Sequence, residues 1–358
     1  MKILSERSWI ALSIGIIYRH SGKRRMKIAL TYNLKKKDDT KPADYFSEFD
    51  SEETIGSIVS ALERKGHSVE AIDVEYPKLF SYFNKNSVDM VFNIAEGTRG
   101  KFRESEVPAI LDYLNIPYTG SGTFSLALAL NKALTKKILK AENIPTPEFQ
   151  VFSKGNEKLD SSLRFPLIVK PNCEGSAKGI SKANVVNNRE DLLRIVKEIL
   201  DVYHQEALVE EFIEGKELTV GILENGKTRV LPILEIDFSD CNNSGEYFYS
   251  WRMKEYQGDK DMGLIPSFHC PARLDKETEE LVKEVALKTH RAVGCLDVSR
   301  TDIRLDKNNV PYVLEINPLP GLDPKESNFP IMAYAAGMKY EDLIEAILLS
   351  ASERKGLN

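Results

Sequence analysis

The chain has 358 residues, too many for one small domain and enough for two or three. Hydrophobic residues make up 42% and charged residues 29%, which excludes a disordered, collagen-like or low-complexity chain. A formal net charge of -5 offers no field for a polyanion, so nucleic-acid binding is not expected.

Residues 1–25 stand apart from the rest of the chain. Residues 9–18 are apolar and residues 19–25 basic. The apolar run is about half the ~20 residues of a membrane-spanning helix, and the basic cluster sits where a signal peptide would place its cleavage site. Neither export nor a membrane anchor is expected. Met26 opens a strand-like run through Tyr32, so 1–25 reads as an extension added by a misplaced start. Six basic residues against one acidic residue give it +5, and the remainder then carries -10. Cys173, Cys241, Cys270 and Cys295 are dispersed without a CxxC pair, which points to a reducing cytoplasm and not to a zinc cluster or disulfide framework.

From Met26 the pattern alternates. A strand at 26–32 and a polar stretch at 35–50 precede a helix at 52–65, with Ile55, Ile58, Val59 and Leu62 at helical spacing and Gly66 as its stop. Strands at 69–74 and 88–94 and a helix at 107–114 come next. Such βαβ alternation implies a mostly parallel sheet with functional loops at the carboxyl ends of its strands, one of them at 93–97. The spacing of Leu126, Leu130, Leu134 and Ile138 predicts one helix over 121–142, with a domain boundary near Gly122. Beyond it the texture is α+β: strands at 167–170, 208–212, 218–223, 229–236, 297–305 and 312–316, and helices at 189–202, 276–293 and 341–352. The expected domains are 26–122, 123–222 and 223–352. The long polar segment 240–263 reads as a functional loop or lid.

Three segments carry chemistry. In 168–180 an apolar strand runs into a loop where Gly175 and Gly179 let the backbone approach phosphate oxygens, and Ser176 and Lys170 supply a donor and a charge. It lacks the GxxxxGK spacing of a Walker loop, and a plain hairpin turn stays open for this segment taken alone. In 208–220 two apolar strands flank an acidic bend, whose backbone at 211–213 suits adenine and whose Glu217 suits ribose hydroxyls; a solvated turn is the alternative. Then come Arg300-Thr301-Asp302-Ile303-Arg304 and Leu314-Glu315-Ile316-Asn317. Period two puts Arg300 with Asp302, and Glu315 with Asn317, on the face opposite Ile303 and Ile316. Asp302, Glu315 and Asn317 are the hard oxygen donors Mg²⁺ prefers, with surface ion pairs as the alternative.

Together with Pro117-Tyr118-Thr119-Gly120-Ser121, Asn131-Lys132 and Asn317-Pro318-Leu319-Pro320-Gly321, these segments resemble the ATP-grasp superfamily, and within it the D-alanine:D-alanine ligases, from Met26 onward. The resemblance implies an ATP-grasp fold behind a Rossmann-like amino-terminal domain. It implies that Lys132, Lys170, Glu174, Gly175, Ser176, Glu210, Glu211, Phe212, Ile213 and Glu217 bind ATP. Asp302, Glu315 and Asn317 would hold two Mg²⁺ ions, with Mn²⁺ as a substitute. Arg300 and the Gly321 N–H would meet an oxyanion, Ser176 would assist catalysis, and Lys254 would reach the γ-phosphate from the mobile loop. A homodimer is implied as well.

The departures gather at the amino-acid pocket. The family's amino-terminal GG…S.E.EVS element is absent, leaving Asp50, Glu52 or Glu53 to meet the first amino group, with Asp50 preferred. Glu96 stands where the family has histidine, and Tyr256 lies one step beyond the expected tyrosine; Ser327 completes the substrate set. His269, Cys270 and Cys173 have no nucleophilic constellation around them. Trp251 and 247–249 read equally as a recognising lid or as apolar cover. The resulting expectation is an ATP-dependent carboxylate–amine ligase working through an acyl phosphate, most simply on D-alanine. A ligase of another acid and a non-catalytic ATP-binding module are the alternatives.

Overall fold

The computed structural model describes residues 24–36, 38, 40, 42–75, 77–241, 247–255 and 264–357. The reading of 1–25 as an extension therefore falls, but for its last two residues, outside the described residues. So do Tyr256 and much of 240–263.

The amino-terminal unit is a parallel sheet in the order β2-β1-β3, from β1 (Lys27–Tyr32), β2 (Ser68–Asp73) and β3 (Met90–Asn93), with helices α1 (Glu52–Arg64), α2 (Lys78–Phe83) and α3 (Glu106–Tyr113). Helix α1 starts where Ser51 Oγ accepts the Thr54 N–H at 3.1 Å, with Glu52 and Glu53 at the positive end of the dipole.

Next come α4 (Thr123–Leu130) and α5 (Lys132–Ala141), which corrects the single helix expected over 121–142. Asn131 breaks it. Its backbone is extended (φ -86°, ψ 93°) and its side chain accepts the Leu134 N–H, because asparagine competes better as an N-cap than inside a helix. The break turns Lys132 inward, where its N–H donates to the Asn172 carbonyl at 3.0 Å.

An antiparallel sheet in the order β4-β7-β5-β6 comes after them, from β4 (Phe149–Phe152), β5 (Leu167–Pro171), β6 (Val185–Val186) and β7 (Ala207–Glu211), backed by α6 (Arg189–Tyr203). The larger sheet runs β11-β10-β8-β12-β13 with β9 beside β8. Its elements are β8 (Lys216–Asn225), β9 (Lys227–Val230), β10 (Leu234–Asp237), α7 (Trp251–Glu255), β11 (Ser267–His269), α8 (Lys276–Val293), β12 (Val298–Leu305), β13 (Pro311–Asn317), α9 (Asn328–Ala335) and α10 (Tyr340–Arg354).

Two features position the site. The strands around the acidic bend do not pair with each other: β7 lies between β4 and β5 in the smaller sheet and β8 runs unbroken in the larger one, through the residue where the sequence reading ended its central domain. The crossing turns at Gly215 (φ +145°), where a Cβ would lie 2.0 Å from the Leu305 carbonyl oxygen, so only glycine fits. The amino-terminal unit also shares a core with the larger sheet, since Ile28, Leu30, Ile58 and Leu62 pack in one cluster with Leu223, Leu343 and Ile347. Among the described residues no helix is long and apolar enough to cross a membrane.

Candidate functional site

Two cavities meet in the cleft between the sheets. One is lined by Lys170 of β5, the 210–213 bend, Glu217 and Thr219 of β8, Asp302 and Arg304 of β12 and Glu315 of β13. The other, about 390 Å³, lies toward the amino-terminal unit and is lined by Asp50, Glu96, Ser176, Gly321 and Ser327 among others. Lys132, Glu174, Lys254, Arg300 and Glu315 line both. Of the described residues proposed from sequence for the site, all line at least one of the two cavities except Gly179 and the alternatives Glu52 and Glu53, which line neither.

Strand register builds the shared wall. Asp302 lies opposite Glu315, and Arg300 opposite Asn317, across the β12–β13 ladder, so all four side chains stand on one face. A bulge after Asp302 leaves Leu314 unpaired and bends the strand where the acidic residues lie. Arg300 grips Asp302 through Nε (3.0 Å) and Nη2 (2.8 Å), while Thr219 Oγ1 (2.6 Å) and Asn317 Nδ2 (3.2 Å) donate to the same carboxylate. Glu315 Oε2 is 3.1 Å from Lys132 Nζ. Burial works against ionising Glu315, but Lys132, Lys254 and Lys170 hold its carboxyl well below the usual range. Lys254 is itself lowered, first by burial and then by Arg300.

At the nucleotide-side cavity, Glu210 is 1% exposed and lies between Lys170 Nζ and Lys136 Nζ, the latter at 2.9 Å. Its carboxylate is therefore an anchor for two lysines, and residues 210–213 line the cavity. Glu217 Oε2 accepts from Arg304 Nη2 (2.9 Å) and the Tyr249 N–H (3.3 Å). Arg304 also lies 5.4 Å from the Phe212 ring. Trp251 N–H donates to the Ile180 carbonyl and Lys35 pairs with Glu255 at 3.1 Å, so residues 247–255 lie across the cleft from the glycine loop to the amino-terminal unit.

The glycine loop holds Ser176 (φ +48°) and Ala177 (φ +55°) in the left-handed region, a strained conformation that the surroundings must impose. The clamp comes from residues that sequence reasoning missed. Glu48 Oε1 accepts the Gly175 N–H at 2.7 Å and its Oε2 accepts from Lys178 at 2.9 Å, while Arg103 forks onto Glu48 and reaches Glu174 Oε2 at 3.1 Å. Asp44 accepts the Gly179 N–H (3.0 Å) and the Tyr203 hydroxyl (2.7 Å). Burial opposes the charge on Glu48, but Arg103 and Lys178 bring its carboxyl down to about 2. Glu48 lies two residues before Asp50, and only the acidic texture of 48–53 marked the region.

The profile of the family described as the D-ala D-ala ligase C-terminus matches residues 138–349. The chain belongs to the D-alanine–D-alanine ligase family. A D-alanine–D-alanine ligase from Carboxydothermus hydrogenoformans is 35% identical over 84% of this chain and 93% of its own length. An uncharacterized protein of Sinorhizobium fredii is 34% identical over 83% of this chain and 87% of its own. Among solved structures, the D-alanine–D-alanine ligase of Bacillus anthracis complexed with ATP superposes with a TM-score of 0.71 at 25% identity, over 93% of this chain and 100% of its own. The VanG D-Ala:D-Ser ligase of Enterococcus faecalis shares the fold (TM-score 0.69, 21% identity, over 92% of this chain and 100% of its own). The protein is thus an ATP-dependent ligase of this type with the ATP-grasp fold.

Asp50 gives a pH-dependent prediction. Burial, and then the neighbouring Asp323 carboxylate, push its carboxyl up to about 7 from 3.8. The folded protein therefore binds a proton there that the unfolded chain has lost, and this contribution to stability disappears as pH rises from about 4 through about 7. Asp50→Asn is expected to raise the melting temperature at about pH 8 and to have little effect at about pH 4. Thermal melts at both values check this; equal shifts would contradict it.

Proposed function

We propose that the protein joins a carboxylic acid to an amine, with ATP first converting the carboxylate to an acyl phosphate. A carboxylate is a poor electrophile. Phosphoryl transfer releases ADP, the amine attacks the acyl carbon, and the tetrahedral intermediate expels phosphate. The observation that carries this reading is the single wall of Lys132, Lys254, Arg300 and Glu315 shared by the two cavities, at which a nucleotide's terminal phosphate and a small acid would meet.

In this reading Lys132, Lys170 and Lys254 neutralise the transferring phosphoryl group, and Gly175 and Ser176 close over it. Glu174 supports that loop, the 210–213 backbone (Glu210, Glu211, Phe212, Ile213) reads adenine, and Glu217 takes the ribose. Arg300 and the Gly321 N–H stabilise the oxyanion. Gly321 has little room for a side chain, since a Cβ would stand 2.8 Å from Ser327 Oγ. Asp50, Glu96 and Ser327 face the acid. Residues 247–255 keep water from the acyl phosphate.

The wall also fits Mg²⁺. Among the described residues no three His, Cys, Asp or Glu side chains form a metal cage, but Mg²⁺ needs only one or two carboxylates beside water and phosphate. Asp302, Glu315 and Asn317 supply two carboxylates and a carboxamide oxygen, and the ion would spread the charge of the phosphates. Four free cysteines, three of them buried, suit a reducing cytoplasm, and a homodimer is the working assembly of this reading.

Phosphate release from Mg²⁺-ATP across D- and L-amino acids and small carboxylates, with product masses, tests the proposal. Release that needs both an acid and an amine, and that yields their condensation mass, is expected. ATP hydrolysis indifferent to every acid would contradict it.

A further inference from the structure

The cavity on the acid side is charged in a way that an amino acid with a single amine does not complement. Carboxylates outnumber cationic side chains nine to four on its lining. Most are accounted for. Glu48 and Glu174 pair with Arg103 and Lys178, Glu255 with Lys35 and Glu315 with Lys132. Asp323 accepts from Thr54 Oγ1 and from the Lys325 and Glu326 N–H groups, and Glu326 is exposed.

Three carboxylates remain. Asp50, Glu96 and Glu104 have no side-chain hydrogen bond or ion pair among the described residues. Glu104 is only 9% exposed and lines this cavity. A carboxylate buried without a partner is costly enough that native structures supply one, from the protein or from a ligand. Glu96 also feels the other two. Burial and then Glu48 push Glu104 up to about 7, and burial followed by Glu104, Glu48 and Asp50 raises Glu96 well above the usual range.

The cavity is polarised as well. Lys132, Lys254 and Arg300 stand on the wall it shares with the nucleotide cavity, where a carboxylate would be activated, whereas Asp50, Glu96 and Glu104 line the acid-side cavity alone. We propose that the acid substrate of this ligase carries a cationic group beyond its α-amine, as a diamino acid does, and that Asp50, Glu96 and Glu104 receive its two amines. This rests on the ligase reading above and narrows it. The paired cations nearby do not neutralise these three carboxylates: Lys132 is engaged by Glu315, Arg300 by Asp302, and Arg103 and Lys178 by Glu48, while Lys254 stands on the shared wall over the Tyr249 ring.

Calorimetric titration of the full chain in the presence of Mg²⁺-ADP, with the D- and L-forms of ornithine, lysine and alanine, tests the charge directly. One diamino acid is expected to bind at least about tenfold more tightly than alanine of the same configuration. Glu104→Gln should weaken that diamino acid about tenfold while changing alanine and nucleotide binding less than about twofold. Because the variant removes a buried carboxyl with no partner among the described residues, it is expected to stay folded. Equal or tighter binding of alanine, binding of none of the six, or an equal loss for both ligand types would overturn the proposal. The last result would mean that the carboxyls are protonated and act as neutral donors. Product masses separate this inference from the ligase reading. An alanine dipeptide formed without use of any diamino acid removes the inference alone, whereas diamino-acid binding with no acid-dependent ADP formation counts against the ligase reading.

Discussion

Glu315→Gln is expected to lower kcat by roughly 10²- to 10³-fold, the scale on which removal of one preorganised electrostatic group from a reacting centre acts. The substitution keeps size and shape and removes one negative charge. That charge lies opposite Asp302, 3.1 Å from Lys132 Nζ, and is held ionised by three lysines against the effect of burial. Without it Lys132 keeps only the Glu174 carbonyl among the described residues, so its position loosens and some stability is lost as well. Steady-state kinetics well below the melting temperature, across a Mg²⁺ titration, separate the two effects. A low kcat and a raised Mg²⁺ requirement are expected. Near-normal turnover with unchanged Mg²⁺ dependence would remove Glu315 from the metal-holding set.

Arg103→Ala is expected to have the largest effect on stability. Arg103 is 7% exposed and ties its own turn to two other segments: Glu48 of the amino-terminal unit, and the glycine loop through the Cys173 carbonyl (2.9 Å) and Glu174. Deleting it leaves buried Glu48 and half-buried Glu174 to share Lys178, and breaking a buried pair from one side costs about 3–5 kcal/mol. The glycine loop loses its clamp too, so the KM for ATP should rise. Arg194→Ala, which breaks an exposed pair with Asp191 on α6, is the control and should cost at most ~1 kcal/mol. Paired melts of the two variants check the contrast; similar losses in both would show that the cluster is not a structural tie.

Much of this site was readable because its chemistry lies on strands and on their ends. Period two placed Arg300 with Asp302 and Glu315 with Asn317 correctly, since alternation along a strand is a local property that survives folding. The glycine loop was readable for a similar reason, as a strand, two glycines and a serine fall within a dozen residues. What escaped depends on long-range contacts. Glu48, Arg103 and Lys178 are far apart in the chain and none sits in a periodic pattern, so only the packing of the amino-terminal unit against the smaller sheet makes them one cluster. Glu104 escaped likewise, as one more charge in a charged turn. The break at Asn131 was a local signal misread, because a leucine period running through 126–138 outweighed one capping residue. The acidic bend was recognised, but nothing in 207–225 records that β7 and β8 belong to different sheets.

In the proposed reaction a carboxylate oxygen of the substrate receives the phosphoryl group before the amine attacks, and every role given to the shared wall depends on that order. The most direct test uses the acid substrate labelled with heavy oxygen in its carboxylate, Mg²⁺-ATP and the amine, with mass analysis of the phosphate released. An acyl-phosphate route leaves one labelled oxygen in each phosphate formed during ligation. Unlabelled phosphate accompanying the condensed product would contradict an acyl phosphate and, with it, the roles given to Lys254, Arg300 and the wall they share with Glu315.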